Sequence, residues 1–434
     1  MRYQPLSSSF YKNARNKFGK LLAQKSLAIF NSNDIYPIGA DSTMPFQQHR
    51  DIFYLCGVDQ EESILLLFPD AVEAKHREIL FLRETNDHIA VWEGAKLSKK
   101  QAVQLTGIET IYWLSEFNRV FQELSTQCER FYFNTNEHYR QAVETQTRED
   151  RFIKWCKKQY PAHGVAKSNP ILQQLRSVKD EEEIAQIQQA CDITEKGFRR
   201  VLSFIKPKVW EYEIEAELIH EFIRNRSRGF AYTPIIAAGN NANVLHYTEN
   251  NQELKDGDLL LIDAGCEING YASDITRTFP VNGKFSEAQK EIYDVVLNAQ
   301  KSAINSIKPG VSSNKPHETA CEIITNGLIK LGIMKSAEDL TKFYMHNTGH
   351  WLGLDVHDVG SKLINDEFRE FKNGMVTTVE PGIYIRRDDK IDSKYWGIGI
   401  RIEDDVLVTE TGNHVLSEKA IKDIDEIEHL MSQR

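Results

Sequence analysis

The stretch LLLIDAGCEINGYASDITRTF, residues 259–279, joins two strand-like runs through an Asn-Gly pair at 269–270. Asn-Gly is the preferred pair for a type I′ turn, so this stretch predicts a β-hairpin centred on these two residues. In that register residue 263 stands opposite residue 276. Asp263 and Asp274 are then diagonal neighbours on one face of the hairpin, about 7–8 Å apart at the backbone.

Two carboxylates on the inner face of a sheet need a compensating charge. Desolvation and mutual repulsion raise the pKa of such groups, so a proton or bound cations must neutralise Asp263 and Asp274. Taken singly, each aspartate is equally typical of a turn cap at a strand end. The rest of the sequence therefore has to decide between these two interpretations.

The segment MHNTGHWLGLDVHDVG, residues 345–360, contains His346, His350 and His357. Gly349 and Gly353, which lie between these histidines, disfavour a helix and favour a loop whose backbone approaches another group closely. One histidine alone is usually a packed or solvated side chain. Three in one glycine-rich loop indicate a site.

Two further acids follow predicted strands. Glu380 ends the strand-like run MVTTVE, and Pro381 prevents that strand from continuing. Glu403 follows the run GIGIRI and lies on the same strand face as Gly399 and Arg401, while the isoleucines of the run lie on the other face. An acid so close to a buried apolar strand needs a partner for its charge.

The five candidate ligands form an oxygen-rich set, namely Asp263, Asp274, His350, Glu380 and Glu403. Such a set suits two divalent ions about 3.5–4 Å apart, with Mn²⁺ expected and Co²⁺ as an alternative. Zn²⁺ is a further alternative, although it usually attracts more nitrogen or sulfur. A metal ion would be the missing partner of Glu403.

Length and composition limit the class of protein. A chain of 434 residues favours two domains, and 41% hydrophobic residues with a mean hydropathy of -0.46 are typical of a soluble globular protein. The net charge of -10 argues against nucleic acid as a partner. No apolar run approaches the roughly 18 residues of a membrane span, and no secretory signal opens the chain. With six scattered cysteines, these features predict a cytoplasmic protein with no membrane partner.

A break at YPAHGVAKSNP, residues 160–170, predicts a boundary between domains 1–168 and 172–434. The first domain alternates strand-like and helical runs, which favours an α/β domain without an evident chemical motif. The second repeats the order helix, helix, strands, which suggests two halves about a pseudo-twofold axis. Its first helix is predicted to be capped by Ser177 and a later one by Ser286.

These residues resemble a known family through four motifs in order, namely Asp-x10-Asp at 263–274, GHWLGLDVHD at 349–358, EPGIY at 380–384 and GIGIRIEDD at 397–405. The pattern is similar to the dinuclear metallopeptidases of the pita-bread fold, and within them to the Xaa-Pro aminopeptidases, or aminopeptidase P. The resemblance covers the whole chain. It implies an α+β protein whose C-terminal pita-bread domain has helices outside a curved antiparallel sheet, preceded by an α/β domain like that of creatinase.

The resemblance also implies ligand roles. Asp263 would hold one ion, and Asp274 and Glu403 would bridge both. His350 and Glu380 would hold the other ion. A hydroxide shared by the ions would attack the peptide bond, and Glu380 would take up its proton.

Further site residues follow from the same resemblance. His246 and His357 would lie beside the scissile carbonyl, stabilising the oxyanion or passing a proton to the leaving nitrogen. His346 and Arg401 would line the side that holds proline, with Arg401 contacting either a ligand or a substrate carbonyl. Trp92 would approach the active site of a neighbouring subunit in a homodimer or homotetramer, or pack locally.

The implied activity is release of the first residue from peptides with proline at the second position. A prolidase, which cleaves Xaa-Pro dipeptides, shares the ligands and is the alternative. From another class, some pita-bread proteins act as binding modules without metal. Those lose ligands, whereas all five residues are present here.

Overall fold

The computed structural model describes residues 4–135, 137 and 144–433. It contains two compact units, one formed by Pro5–Arg176 and the other by the chain from Ser177 onwards. The helix Asn169–Arg176, which follows the boundary expected from the sequence, therefore belongs to the first unit.

The N-terminal unit alternates helices and strands. Its helices are α1 (Ser8–Leu21), α2 (Arg50–Cys56), α3 (Asp87–Glu93), α4 (Lys99–Thr106), α5 (Phe117–Ser125), α6 (Arg148–Gln159) and α7 (Asn169–Arg176). Its strands are β1 (Ser26–Asn31), β2 (Ile64–Leu67), β3 (Glu78–Leu82), β4 (Thr110–Trp113), β5 (Arg130–Phe133) and β6 (Gly164–Lys167). They form one mixed sheet in the order β4-β3-β2-β1-β5-β6. All six residues of β1 are buried, as expected for a central strand covered on both faces.

The C-terminal unit consists of two helix pairs and short antiparallel strands. Its helices are α8 (Glu181–Phe204), α9 (Glu211–Arg224), α10 (Glu287–Asn305), α11 (Lys315–Lys330) and α12 (Ile424–Met431). Its strands are β7 (Gly229–Phe230), β8 (Ile235–Ala238), β9 (Leu259–Ala264), β10 (Cys266–Ile268), β11 (Tyr271–Ala272), β12 (Ile275–Pro280), β13 (Leu363–Ile364), β14 (Glu367–Phe368), β15 (Val376–Val379), β16 (Gly382–Tyr384), β17 (Gly399–Arg401), β18 (Asp404–Val408) and β19 (Asn413–Val415).

The predicted repetition of helix, helix, strands is confirmed. The pair α8 and α9 precedes β8, β9 and β12, and the pair α10 and α11 precedes β15 and β18. Strand β17 from the second half lies against β9 and β12 from the first, so the two halves share one strand layer and one hydrophobic core.

The predicted hairpin register is also confirmed. Asp263 pairs with Thr276, and the turn residues Asn269 and Gly270 have φ of 50° and 82°. At Gly265 a Cβ atom would lie 1.7 Å from the carbonyl oxygen of Ser273, so only glycine allows the strands to approach this closely. The hairpin divides at that point between two sheets, β12-β9-β8 and β11-β10-β7.

One helix start differs from the prediction. The cap of α8 is Asp180, whose side chain accepts a hydrogen bond from the backbone N–H of Glu182 while Glu183 accepts one from the N–H of Asp180. Ser177 instead accepts a hydrogen bond from Arg369 at 3.3 Å. The predicted cap of α10 by Ser286, with Gln289, is confirmed. Among the described residues, none of the helices has the length and apolar character needed to cross a bilayer.

Candidate metal centre

The two predicted aspartates meet at a tyrosine hydroxyl. Asp263 lies on β9 and Asp274 directly precedes β12, and both are buried. The hydroxyl of Tyr232 is 2.6 Å from Oδ1 of Asp263 and 2.5 Å from Oδ1 of Asp274. A phenol has one hydrogen, so it can donate to only one carboxylate at a time. The second carboxylate depends on another source of positive charge.

His350 and Glu403 complete the buried group. Each of Asp274, His350 and Glu403 offers a ligand atom, and these atoms lie within 4.8 Å of one another. Nε2 of His350 is 3.3 Å from Oδ2 of Asp274 and 3.8 Å from Oε1 of Glu380. Asp274, Glu380 and Glu403 each lie next to a strand end, whereas His350 lies in a loop beside the bridge between Trp351 and Thr377.

The orientation of His350 suits metal ligation. Its Nδ1 lies 3.0 Å from the carbonyl oxygen of Trp351, which can only accept a hydrogen bond. The proton is therefore assigned to Nδ1, and Nε2 presents its lone pair to the acids.

The electrostatics of the cluster call for a cation. Burial raises the pKa of Asp274 and Glu403 well above the usual range, and the neighbouring carboxylates raise both pKa values further. A cluster of buried acids with one imidazole fits hard or borderline divalent ions. The side chains present therefore fit the ligand set inferred from the sequence.

Arg401 is buried and bonded within the protein. Its Nη2 donates to Oδ2 of Asp263 at 2.6 Å, its Nη1 donates to the hydroxyl of Tyr384 at 2.9 Å, and its Nε donates to Oγ1 of Thr276 at 3.2 Å. The hydroxyl of Thr276 in turn donates to Oε2 of Glu403 at 2.6 Å. Arg401 is thus linked to two of the acids through one direct and one indirect contact.

His346 lies at the edge of the same group. Its Nε2 is 2.8 Å from the hydroxyl of Tyr384, and its Nδ1 is 3.8 Å from Oε2 of Glu380. Burial, and then the charge of Arg401, lower its pKa to about 4. The imidazole is therefore neutral near pH 7.

The other candidates are more exposed. The ring of His357 lies 4.1 Å from that of His350, centroid to centroid, while its side chain faces solvent. His246 is also exposed, and its charge contributes to lowering the pKa of His346. Trp92 belongs to the N-terminal unit, where 77% of its surface is exposed.

Several contacts were not predicted from the sequence. Tyr232, Thr276 and Tyr384 contact the acids or Arg401, but a tyrosine or threonine in a strand-like run resembles any packing residue. Asp405 accepts a hydrogen bond from the backbone N–H of Asp274 at 3.0 Å. Only its place beside Glu403 in the run of three acids could have drawn attention to it.

A second group of potential ligands lies in the N-terminal unit. Side-chain atoms of Glu73, His76 and Glu123 also come within 4.8 Å of one another. Two of the three residues are exposed, and Lys75 already supplies a cation to Glu73 at 2.7 Å. This group therefore has less need of a metal ion than the buried cluster.

Two domain families match the chain. The family described as Metallopeptidase family M24 matches residues 185–410, which contain all five candidate ligands. The chain belongs to metallopeptidase family M24. The family described as Aminopeptidase P, N-terminal domain, matches residues 11–132, within the first unit.

Relatives match over most of the chain. It is 41% identical to an Xaa-Pro aminopeptidase of Haemophilus influenzae, over 90% of each chain, and 39% identical to one of Escherichia coli, over 90% of each. The solved structure of Pseudomonas aeruginosa aminopeptidase PepP superposes with a TM-score of 0.91 at 35% identity, over 99% of both chains.

These comparisons confirm the family resemblance and the fold class expected from the sequence. The M24 chain has a C-terminal pita-bread domain and an N-terminal α/β domain of the aminopeptidase P kind. Membership of a metallopeptidase family also accounts for the buried acids as a site for divalent metal ions.

Proposed function

We propose that this M24 enzyme is an Xaa-Pro aminopeptidase, which releases the first residue from peptides with proline in the second position. The observation that carries the proposal is the buried convergence of Asp274, His350 and Glu403, with Asp263 bound to Asp274 through Tyr232. The likeness to Xaa-Pro aminopeptidases over 90% of the chain supports the reaction and the substrate class.

The ligand roles are part of the proposal. Asp263, Asp274, His350, Glu380 and Glu403 would hold two divalent ions, of which Mn²⁺ is the expected species and Co²⁺ and Zn²⁺ the alternatives. When bound, such ions act as Lewis acids on the scissile carbonyl and lower the pKa of water.

Residues of the chain prepare this site. Arg401 fixes the orientation of Asp263 by donating a hydrogen bond to Oδ2. The hydroxyl of Tyr232 donates to the other oxygen of the same carboxylate, Oδ1. The 19% exposure of the Glu380 side chain leaves it open to substrate, where its carboxylate takes up a proton from the attacking water. Its place close to both His346 and His350 keeps that acceptor at the buried cluster.

The three histidines at the rim handle the substrate. A neutral His346, held through Nδ1 by the carbonyl of Asn347 and through Nε2 by the hydroxyl of Tyr384, adds no charge beside the proline side of the site. His246 and His357 face solvent, where a peptide can reach them, and would stabilise the oxyanion or pass a proton to the leaving nitrogen.

The N-terminal domain distinguishes the leading proposal from a prolidase. Residues 11–132 match the Aminopeptidase P, N-terminal domain, family. We assign this domain, whose compact unit ends at Arg176, to oligomerisation and substrate gating. In a homodimer or homotetramer, Trp92 would approach the active site of a neighbouring subunit and control access of the substrate. Its side chain is 77% exposed in the single chain and can therefore contact another subunit. The expected location is the cytoplasm.

Matched peptides test the proposal. After chelation and reloading with Mn²⁺, Xaa-Pro-Yaa and Xaa-Pro peptides with the same first residue are incubated with the enzyme, and the released amino acid is quantified. We expect release from the tripeptide, none from the chelated enzyme, and recovery with Mn²⁺. Cleavage of the dipeptide alone would favour a prolidase, and full activity after exhaustive chelation would exclude the metal-dependent reaction.

A further inference from the structure

Glu211, the first residue of α9, is a fully buried acid outside the metal cluster, at 0% exposure. We propose that Glu211 is a positioning residue for His246, acting through the loop of residues 239–252 that carries this histidine. The inference rests on the function proposed above, because it concerns a residue that prepares that site.

The carboxylate of Glu211 binds the chain on both sides of His246. Its Oε1 accepts hydrogen bonds from the backbone N–H of Ala238 at 2.7 Å and from Nδ2 of Asn241 at 3.1 Å. Its Oε2 accepts from the hydroxyl of Tyr247 at 2.8 Å and from the backbone N–H of Gln252 at 2.9 Å. Three donors from the loop and one from the last residue of β8 thus converge on one side chain.

The base of the loop is joined to the same helix start. The backbone N–H of Glu211 donates to the carbonyl of Gln252 at 2.9 Å, and that of Leu254 donates to the carbonyl of Val209 at 2.8 Å. The loop therefore leaves and returns at the N-terminus of α9.

This attachment relates the loop to the metal cluster. The strand that precedes the loop, β8, pairs with β9, and Ile235 lies opposite Asp263. A loop fixed to both β8 and α9 is consequently fixed relative to a candidate ligand. Because the side chain of His246 is exposed, its position depends on the backbone of this loop rather than on packing around its ring.

The electrostatics show why the anchor is specific. Among the described residues, no basic side chain forms an ion pair with Glu211. Its carboxylate is held instead by four hydrogen-bond donors, three of them in the loop and one at Ala238, where β8 ends and the loop begins. Tyr247, next to His246, has its pKa raised to about 12 by burial and then by its hydrogen bond to Glu211.

The substitution Glu211→Gln tests the anchor with little change in shape. In either orientation of the amide, its NH₂ group faces a backbone N–H, that of Ala238 or that of Gln252, and neither can accept a hydrogen bond. We expect faster amide hydrogen exchange across residues 238–252 and a fall in kcat/KM of about a hundredfold, the order produced by a misplaced catalytic group.

Glu217→Gln is the matched control on the same helix. Glu217 pairs with Nε of Arg200 at 2.5 Å, and Arg200 lies on α8 rather than in the loop. We expect this variant to leave exchange in residues 238–252 and the value of kcat/KM unchanged. Tyr247→Phe removes only one of the four bonds, so it tests the same effect at smaller size if Glu211→Gln does not fold.

A double-mutant cycle separates positioning from general destabilisation. If Glu211 acts through His246, the double variant Glu211→Gln/His246→Ala will be no slower than His246→Ala alone. Independent effects that multiply would overturn the proposal, as would equal hydrogen exchange in the Glu211→Gln and Glu217→Gln proteins. A wild-type enzyme without aminopeptidase activity would contradict the proposed function instead, while the exchange comparison would still decide whether Glu211 anchors the loop.

Discussion

Tyr232 has one hydroxyl hydrogen and two carboxylates within 2.6 Å, those of Asp263 and Asp274. Its hydroxyl therefore joins these two candidate ligands. Hydrogen bonds to metal ligands from neighbouring side chains orient those ligands, and their loss typically lowers metal affinity or activity by about 10- to 100-fold. We therefore expect Tyr232→Phe to weaken metal binding and lower kcat/KM by about this factor, as measured by metal titration and peptide release.

Tyr293→Phe is a suitable control for this prediction. Tyr293 is also buried, and its hydroxyl donates one hydrogen bond, to the carbonyl of Lys422 at 3.0 Å. Equal metal affinity in the two variants would show that Tyr232 does not support the ligands.

At the residue scale the sequence indicates the acids better than their partners. Asp263, Glu380 and Glu403 can be recognised because an acid beside a buried strand needs compensation. Tyr232 cannot be recognised in this way, since an aromatic residue near a strand has an ordinary packing explanation. Of the two roles left open for Arg401, contact with a ligand or with a substrate carbonyl, its hydrogen bonds favour the first. All three guanidinium nitrogens donate to protein groups, one of them to Asp263.

At the scale of elements, the hairpin that carries Asp263 and Asp274 depends on Gly265. Adding a Cβ there would bring it 1.7 Å from the backbone oxygen of Ser273, which cannot move as a flexible side chain could. We expect Gly265→Ala to lower the free energy of unfolding by about 1–3 kcal/mol or more, as measured by denaturant titration.

Gly412→Ala provides the comparison, because nothing lies within 4 Å of a Cβ at that position. It should change stability by less than about 0.5 kcal/mol. A Gly265→Ala protein as stable as this control would contradict the close approach of the strands.

The same elements show what local sequence can predict. The hairpin register followed from the Asn-Gly turn, and the cap of α10 from Ser286 with Gln289. The predicted cap of α8 at Ser177 is wrong, because Ser177 and Asp180 both have capping-box spacing and the structure uses the box formed by Asp180 with Glu183. The hydroxyl of Ser177 is occupied by Arg369, a contact 192 positions away that no local pattern reveals.

At the scale of the whole molecule, the five candidate ligands come from four separate segments of one unit. Their order along the chain suggested the family, and the family matches confirm it. The surroundings of these ligands depend on tertiary contacts, such as Arg277, which is buried and donates to Asp404 at 2.7 Å and to the carbonyls of Ala420 and Ile421. Long-range contacts of this kind cannot be read from spacing.

The most direct measurement is the metal content of the purified enzyme after loading with Mn²⁺ and removal of free ions, compared with that of Asp274→Asn under the same conditions. We expect two ions per wild-type chain, and in the variant both loss of bound metal and a fall in peptide release of several orders of magnitude, because Asp274 lies closest to His350 at the centre of the acids. A wild-type chain that retains no ions, or a variant that retains both ions and full activity, would contradict the dinuclear site.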